Sequence, residues 1–236
     1  ENVTSLLMVY SGEFIKELGI YSTVRNACDE LGIDFHENGN VVPNPSIDLV
    51  RKLSSLGKNE NIDFILAVGG GSSIDTAKAI ALGIPYDGDA WDFFVGNTVP
   101  SKVLPVGVIS TLPASGSETS NCAILSNGEW KLGYEDDRII PKFAIMNPEL
   151  TYTLPEYQTM SGCVDIMMHT LERWFSHEKD TELTDYLAEG VLKTVMHQAK
   201  VLLTDPENYE ARSEVFWAGS LSHNGLTGCG RAGDWA

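Results

Sequence analysis

The chain has 236 residues, 43% of them hydrophobic, and its 33 acidic against 16 basic residues give a formal net charge of −17 at pH 7. This acidity disfavours nucleic acid and anionic membranes as partners. No apolar stretch reaches the roughly 18 residues that span a bilayer, and the four cysteines show no CxxC spacing that would indicate a zinc knuckle. We expect a soluble, cytoplasmic protein of one or two domains.

Short apolar runs alternate with helical spacing in the first half of the chain. The runs predict strands at 6–10, 33–35, 64–68, 103–110, 123–125 and 143–146. Helices are predicted between the first two strands, from Pro45 onwards, and over residues 72–82. Such alternation indicates a parallel sheet covered by helices, and therefore an α/β fold.

The character of the sequence changes near Pro148, after which no strand-like run follows. Helical spacing instead predicts three helices, over residues 156–175, 181–203 and 209–226. We therefore predict an α/β domain over residues 1–150 and an all-helical domain over residues 151–236.

Residues 67–78, AVGGGSSIDTAK, place three glycines between a buried strand and a helix. Glycines let an anion approach the main chain, and the start of a helix offers unpaired N–H groups and the positive end of the dipole. Ser72 is predicted to cap the helix. The turn suits a dinucleotide pyrophosphate, although the spacing is not the GxGxxG of ordinary Rossmann proteins, and a turn without a ligand is the alternative.

Asp75 and Lys78 follow in the same predicted helix. A carboxylate in the first turn is favoured by the helix dipole, so a structural role and a cofactor contact have equal weight for Asp75. Lys78 is predicted to be a solvated partner of Asp75 or Asp63.

The segment 111–118, TLPASGSE, follows another predicted strand and is rich in small hydroxyl residues. It suits a second wall around a phosphate or ribose, with an ordinary loop as the alternative. Lys131 also has two readings, as a donor to the ribose hydroxyls or the nicotinamide side of a dinucleotide, or as a surface lysine.

Asp165 and His169 stand four residues apart in a predicted helix, so both side chains leave the same face. A carboxylate and an imidazole at this spacing form one half of a site for iron(II) or zinc. A salt bridge or a core histidine is the alternative. No other histidine has a spacing that marks it as a third ligand.

Several segments occur in the order found in one family: GGGSSIDTAKAIA, LPASGSE, Lys131, PKFAIMNPELTYTLP, GCVDIMMHTLE and NGLTGCGRAGDWA. Through them the chain resembles the iron-containing, group III alcohol dehydrogenases, most of all the butanol dehydrogenase-like branch. The resemblance implies a dehydroquinate synthase-like architecture, with a dinucleotide-binding α/β domain followed by a helical metal-binding domain. It also implies a homodimeric oxidoreductase that interconverts small alcohols and aldehydes with NAD(P)(H) and a divalent metal.

The resemblance assigns roles to particular residues. Asp165 and His169 match the first two metal ligands, and no side chain is an evident general base. Matching cofactor positions, by motif, are Asn44, Gly70, Gly71, Ser72, Asp75, Thr111, Ser115 and Lys131.

Two departures from the family pattern lead to further expectations. The family's other two ligands are histidines after a DWA-like sequence, where this chain stops at residues 234–236. We expect a chain truncated at both ends that binds metal poorly as given, and His223, which precedes the motif, is not predicted to be a ligand. Glu13 stands where the related branch has glycines followed by serine. Its carboxylate would repel a 2′-phosphate, which favours NAD, unless the side chain points to solvent.

Two other functions remain open from the sequence. One is a polyol dehydrogenase of the same superfamily, acting on glycerol or a diol. The other is a catalytically degenerate nucleotide-binding or assembly module.

Overall fold

The structure is a computed structural model that describes residues 2–231. The chain divides into two compact units, one formed by Glu1–Ile109 with Asn121–Ile145 and the other by Ser110–Ser120 with Met146–Ala236. Segment Ser110–Ser120 thus belongs with the C-terminal half, whereas the predicted boundary near residue 150 assigns it to the N-terminal domain. The assignment of a function to each domain stays a prediction.

Residues 2–231 contain strands of two kinds, those of a five-stranded sheet and those of a separate hairpin. In chain order the strands are β1 Ser5–Tyr10, β2 Asp34–Asn38, β3 Phe64–Gly69, β4 Val106–Ser110, β5 Cys122–Asn127, β6 Trp130–Glu135 and β7 Phe143–Ile145. The larger sheet has the order β2-β1-β3-β4-β7. β1 pairs in parallel with β2 and β3, β4 pairs in parallel with β7, and β5 pairs antiparallel with β6.

Helices connect the strands in the first unit and dominate the second. They are α1 Phe14–Glu17, α2 Ile20–Leu31, α3 Ile47–Asn59, α4 Gly71–Gly83, α5 Trp91–Phe94, α6 Glu156–Trp174, α7 Glu182–Thr204 and α8 Tyr209–His223. Short 3-10 helices lie at Asp137–Ile139, Pro148–Thr151 and Leu226–Gly228. Within the described range, no helix combines the length and apolarity that crossing a bilayer requires.

The central strands form because continuous apolar runs can be buried on both faces of a parallel sheet. Every residue of β1 and β3 is buried. Helix α4 is buried over most of its length and packs on β3. The predicted α/β fold with a parallel sheet is confirmed.

The order of the strands determines where a ligand can reach the first unit. From β1 the chain moves outward to β2 and then returns past β1 to β3. Connections between parallel strands are right-handed, so the reversal places α2 and α3 on opposite faces of the sheet. Open α/β sheets bind ligands at the carboxyl ends of the strands beside such a reversal. Here those ends lead into Ser11 and into Gly70.

The second unit is built by α6, α7 and α8, which bury one apolar cluster. Its members include Cys163 and Ile166 of α6, Val191 and Val195 of α7, and Val215 of α8. The three predicted helices are present, with α6 and α7 within one residue of their predicted bounds.

Helix α8 ends at His223, three residues before the predicted end. Gly225 follows with a φ of +94° and opens the last 3-10 helix, because its left-handed conformation interrupts the α-helical hydrogen bonds.

Candidate cofactor and metal sites

The glycine turn joins β3 directly to α4. Gly70 is the N-cap, no side chain caps the helix, and α4 begins at Gly71. The prediction that Ser72 caps the helix is therefore wrong, because Ser72 already lies in the first turn. The first amides of an α-helix lack an intrahelical acceptor. Here, in the absence of a side-chain cap, they can receive an anion.

Gly69 shows why a side chain is excluded from this turn. Its φ is +144°, and a Cβ at this position would lie 2.6 Å from the Ser73 Oγ atom. The Ser73 hydroxyl is buried and has no hydrogen-bond partner in the described part of the chain. Ser11, which follows β1, also approaches, its Oγ atom 3.8 Å from the same hypothetical Cβ. A cradle without side chains at an uncapped helix start fits a dinucleotide pyrophosphate.

Asp75 and Lys78 connect α4 to the β5–β6 hairpin. The Ile124 amide donates to the Asp75 carboxylate at 3.3 Å, so the structure shows a structural contact for this residue. The Lys78 amine donates to the Cys122 carbonyl at 2.7 Å, and the Lys78 side chain is fully buried. The predicted solvated lysine is therefore wrong, because the hairpin covers this face of α4.

Lys131 and Asn44 lie together although 87 residues separate them in the chain. The Lys131 amine donates to the Asn44 Oδ1 atom at 3.3 Å, and both residues are exposed. Strand β6, which carries Lys131, was not predicted from the sequence. The Ser126 amide donates to the Pro45 carbonyl at 2.9 Å, which holds the Asn44 loop against the hairpin. Two residues predicted to contact the cofactor thus share one surface of the first unit.

Glu13 lies just beyond the end of β1. Its side chain is 73% exposed, and its Oε2 atom is 2.7 Å from the Lys16 amine. The carboxylate is thus accessible to a ligand that approaches this end of the sheet. This exposure agrees both with a contact to the cofactor and with a side chain that only points to solvent.

Thr111 and Ser115 belong to the segment Ser110–Ser120 of the second unit. Thr111 is buried and Ser115 is half-buried. The segment is held against α8, where the Ser220 hydroxyl donates to the Glu118 Oε1 atom at 2.7 Å. Gly116, with a φ of +64°, allows close contact, since a Cβ there would lie 2.5 Å from the Gly219 carbonyl oxygen.

Asp165 and His169 face each other on α6 as the spacing predicts. The His169 Nε2 atom lies 3.7 Å from the Asp165 Oδ1 atom, and their side chains are 8% and 43% exposed, respectively. Burial raises the pKa of the Asp165 carboxyl, and the charge of Glu172 raises it further, while His169 opposes this shift. The His223 ring meets the His169 ring edge-on, with centroids 4.5 Å apart.

A carboxylate oxygen and an imidazole nitrogen fit a divalent metal such as iron(II) or zinc. Within residues 2–231, however, no group of three or more His, Cys, Asp or Glu side chains is arranged to hold one. Within the described residues, Asp165 and His169 are therefore a pair of candidate ligands, fewer than a complete site requires. The motif at 234–236, after which the resemblance expects the others, lies outside the described residues.

Glu172 is a neighbour of this pair that the sequence analysis did not single out. Its Oε1 atom lies 3.6 Å from the His169 Nδ1 atom, on the other side of the ring from Asp165. The signal was available, because residues three apart on a helix share a face.

A parallel sheet with an uncapped glycine turn beside its strand reversal is typical of nucleotide-binding α/β proteins. Comparison with protein families makes this assignment specific. The family model described as iron-containing alcohol dehydrogenase matches residues 1–148, and that described as Fe-containing alcohol dehydrogenase family, C-terminal, matches residues 159–236. The chain belongs to the iron-containing alcohol dehydrogenase family, as its motifs predict.

Individual relatives agree with this assignment. NADH-dependent butanol dehydrogenase A of Clostridium acetobutylicum is 41% identical, and the match covers 98% of this chain and 60% of the relative. The NADPH-dependent aldehyde reductase YqhD of Escherichia coli is 35% identical, with coverages of 98% and 60%. The crystal structure of NADH-dependent butanol dehydrogenase A from Thermotoga maritima superposes with a TM-score of 0.95 at 35% identity, covering 99% of this chain and 59% of that one. The chain thus spans about 60% of the length of these relatives.

Proposed function

We propose that the whole protein is a metal-dependent alcohol dehydrogenase and aldehyde reductase, which transfers a hydride between NAD(P)(H) and a short-chain alcohol or aldehyde. The observation that carries the proposal is the 41% identity to an NADH-dependent butanol dehydrogenase over 98% of this chain. We propose the cytoplasm as its location and a homodimer as its assembly, without nucleic-acid or membrane partners. The net charge of −17 supports the last point.

The dinucleotide binds at the glycine turn of the first unit. The backbone around Gly70, Gly71 and Ser72 receives the pyrophosphate, because the helix start is uncapped and Gly69 leaves the approach open. Asn44 and Lys131 form a polar pair that can hydrogen-bond the ribose or the nicotinamide side.

Three further residues complete the proposed cofactor contacts. Asp75 contributes from just beyond the first turn of α4, in which the sequence had placed it, and its carboxylate is already oriented by the Ile124 amide. Thr111 and Ser115 provide hydroxyl groups from the second cofactor loop.

Asp165 and His169 hold the metal from one face of α6. When bound, the nicotinamide carries the hydride and the divalent metal, iron(II) or zinc, polarises the substrate oxygen as a Lewis acid. The chain's own contribution is to orient the ligand atoms. The His169 ring is fixed by burial, whereas the Asp165 carboxylate stays partly accessible.

NADH is the proposed cofactor. The exposed Glu13 carboxylate at the end of β1 would repel a 2′-phosphate and accept hydrogen bonds from ribose hydroxyls instead. The relatives include an NADH-dependent and an NADPH-dependent protein, so the family alone does not decide between them.

The test uses the full-length gene product. We expect divalent metal in stoichiometric amount by mass spectrometry, and oxidation of NADH faster than that of NADPH with butanal. Preferential turnover of dihydroxyacetone or glyceraldehyde would identify a polyol dehydrogenase instead. Binding of NADH without turnover of any of these carbonyl compounds in the metal-loaded protein would overturn the proposal and favour a nucleotide-binding module.

A further inference from the structure

The His169 imidazole lies between two carboxylates of its own helix. Its Nε2 atom is 3.7 Å from Asp165, and its Nδ1 atom is 3.6 Å from Glu172. The spacing i, i+4, i+7 places all three side chains on one face of α6, with the ring in the middle. Only one ring nitrogen of a neutral imidazole carries a proton, so the two carboxylates compete for the N–H group.

Burial distinguishes the two carboxylates. The Glu172 side chain is 3% exposed, whereas that of Asp165 is 43% exposed. Water screens the charge of an exposed carboxylate far more than that of a buried one, so Glu172 attracts a proton on the imidazole more strongly at nearly the same distance. The balance favours the tautomer with hydrogen on Nδ1, which leaves the Nε2 lone pair on the side of Asp165.

Arg173 holds the Glu172 carboxylate near this ring. Its Nη2 atom lies 3.7 Å from the Glu172 Oε1 atom. Its Nη1 atom donates to the carbonyls of His169 and Ser222 at 2.7 and 2.6 Å, which anchors the guanidinium to α6 and α8. The Glu172 oxygen that faces Nδ1 is thus placed by a residue that is itself fixed on two helices.

The His169 Nδ1 atom is buried and makes no hydrogen bond in the part of the chain that the structure describes. Glu172 Oε1 lies slightly beyond hydrogen-bond distance from it. A small movement of one side chain would close this gap. Metal-binding histidines generally donate their second ring N–H group to a carboxylate or carbonyl, which fixes both the tautomer and the ring orientation.

We propose that Glu172 is a positioning residue, which holds the proton of His169 on Nδ1 and so presents Nε2 as the ligand atom beside Asp165. This inference rests on the proposed function for its metal. Glu172 touches neither the substrate nor the cofactor in this proposal and acts through the histidine ring. A role limited to neutralising Arg173 is the competing explanation.

The first experiment needs no variant. In the full-length protein, freed of metal and labelled with ¹⁵N at histidine, long-range ¹H–¹⁵N correlation at about pH 8 reports which nitrogen of each neutral ring is protonated. We expect a protonated Nδ1 and an unprotonated Nε2 for His169, assigned by its loss in His169→Gln. A predominant Nε2–H tautomer would overturn the proposal. Because this measurement involves no turnover, it can succeed or fail independently of the dehydrogenase function.

The second experiment removes the charge of Glu172. In Glu172→Gln we expect the Nδ1–H tautomer to lose its predominance and the affinity for Co²⁺, followed by its visible absorption, to fall about 10- to 100-fold. Glu172→Asp keeps a carboxylate and should recover part of both effects. Glu178→Gln makes the same chemical change at an exposed position outside the helices and should alter neither.

A purely structural role predicts a different result. If Glu172 only balances Arg173, Glu172→Gln should lower the melting temperature while leaving the tautomer and the Co²⁺ affinity of the folded protein unchanged. That outcome would refute the positioning role. If Glu172→Gln does not fold, the wild-type tautomer and the Glu172→Asp variant still decide the question.

Discussion

The glycine turn of the first unit and the α6 cluster of Asp165, His169 and Glu172 are built in different ways. The turn depends on backbone, because a missing side chain at Gly69 and an uncapped helix start create it. The α6 cluster depends on three titratable side chains held at defined spacing and burial. We therefore expect the turn to fail by steric clash and the α6 cluster to fail by loss of a charge or a ligand atom.

The largest effect is expected from His169→Ala. Removing the imidazole takes away one of the two ligand atoms proposed on α6, so the activity of the full-length enzyme should fall on the order of a thousandfold, with loss of bound metal. Steady-state kinetics and metal analysis measure both. His197→Ala, at an exposed position on α7, provides the control. If His169→Ala retains its metal and its activity, the α6 cluster is not part of the metal site.

Gly69→Ala tests the backbone side of the comparison. A Cβ 2.6 Å from the Ser73 Oγ atom, at a φ of +144°, should destabilise the protein by about 2 to 3 kcal/mol and weaken NADH binding. Gly190→Ala is the matched control, because nothing lies within 4 Å of a Cβ there and the residue is helical. It should stabilise by about 0.5 to 1 kcal/mol. Urea denaturation measures both changes, and equal effects would contradict the steric account.

The strands and helices that the sequence predicted share a simple physical origin. The apolar runs of β1 and β3 identify buried central strands, and the spacing of Asp165 and His169 on a helix follows from 3.6 residues per turn. Strand β6 was missed although its sequence WKLGYE places apolar or aromatic residues at 130, 132 and 134, so the period-two signal of a half-exposed strand was available. The four-residue helices α1 and α5 are too short for any periodicity to show.

Burial of polar residues was harder to predict. Lys78 is buried because a hairpin from 44 residues further along the chain covers it, and no local pattern signals that contact. Glu172 was overlooked since an isolated glutamate in a helix is ordinarily exposed. Ser72 was assigned as a cap because serine favours that position, yet the cap is Gly70, two residues earlier.

A smaller effect is expected from Glu13→Ser, which removes a charge without disturbing the glycine turn. The catalytic efficiency with NADPH should rise about two- to fivefold relative to NADH, because an exposed charge contributes up to about 1 kcal/mol. Kinetics with both cofactors measure the ratio. Glu17→Ser, also exposed on α1, should leave the ratio unchanged. An unaltered ratio in Glu13→Ser would place this carboxylate outside the cofactor site.

The smallest effect concerns the pH dependence of the first unit. Hydrogen bonds from Arg138 lower the pKa of Asp136 to about 2. A lowered folded-state pKa stabilises the protein above the ordinary value near 4, and this stabilisation is lost as the pH falls through about 2. Asp136→Asn should therefore cost about 1 kcal/mol at neutral pH and progressively less between about pH 4 and pH 2. A difference that does not change with pH, measured by urea denaturation, would contradict this origin.

The link between α4 and the β5–β6 hairpin has a consequence for motion. Helix α4 begins at the glycine turn. Within its next two turns, Asp75 and Lys78 form hydrogen bonds to the hairpin. Local opening of the hairpin must break the hydrogen bond of the fully buried Lys78 ammonium group. We therefore expect the protected amides of the hairpin to exchange hydrogen together with those of α4. Lys131 lies on β6 of this hairpin, so we expect its backbone to be as rigid as that of α4.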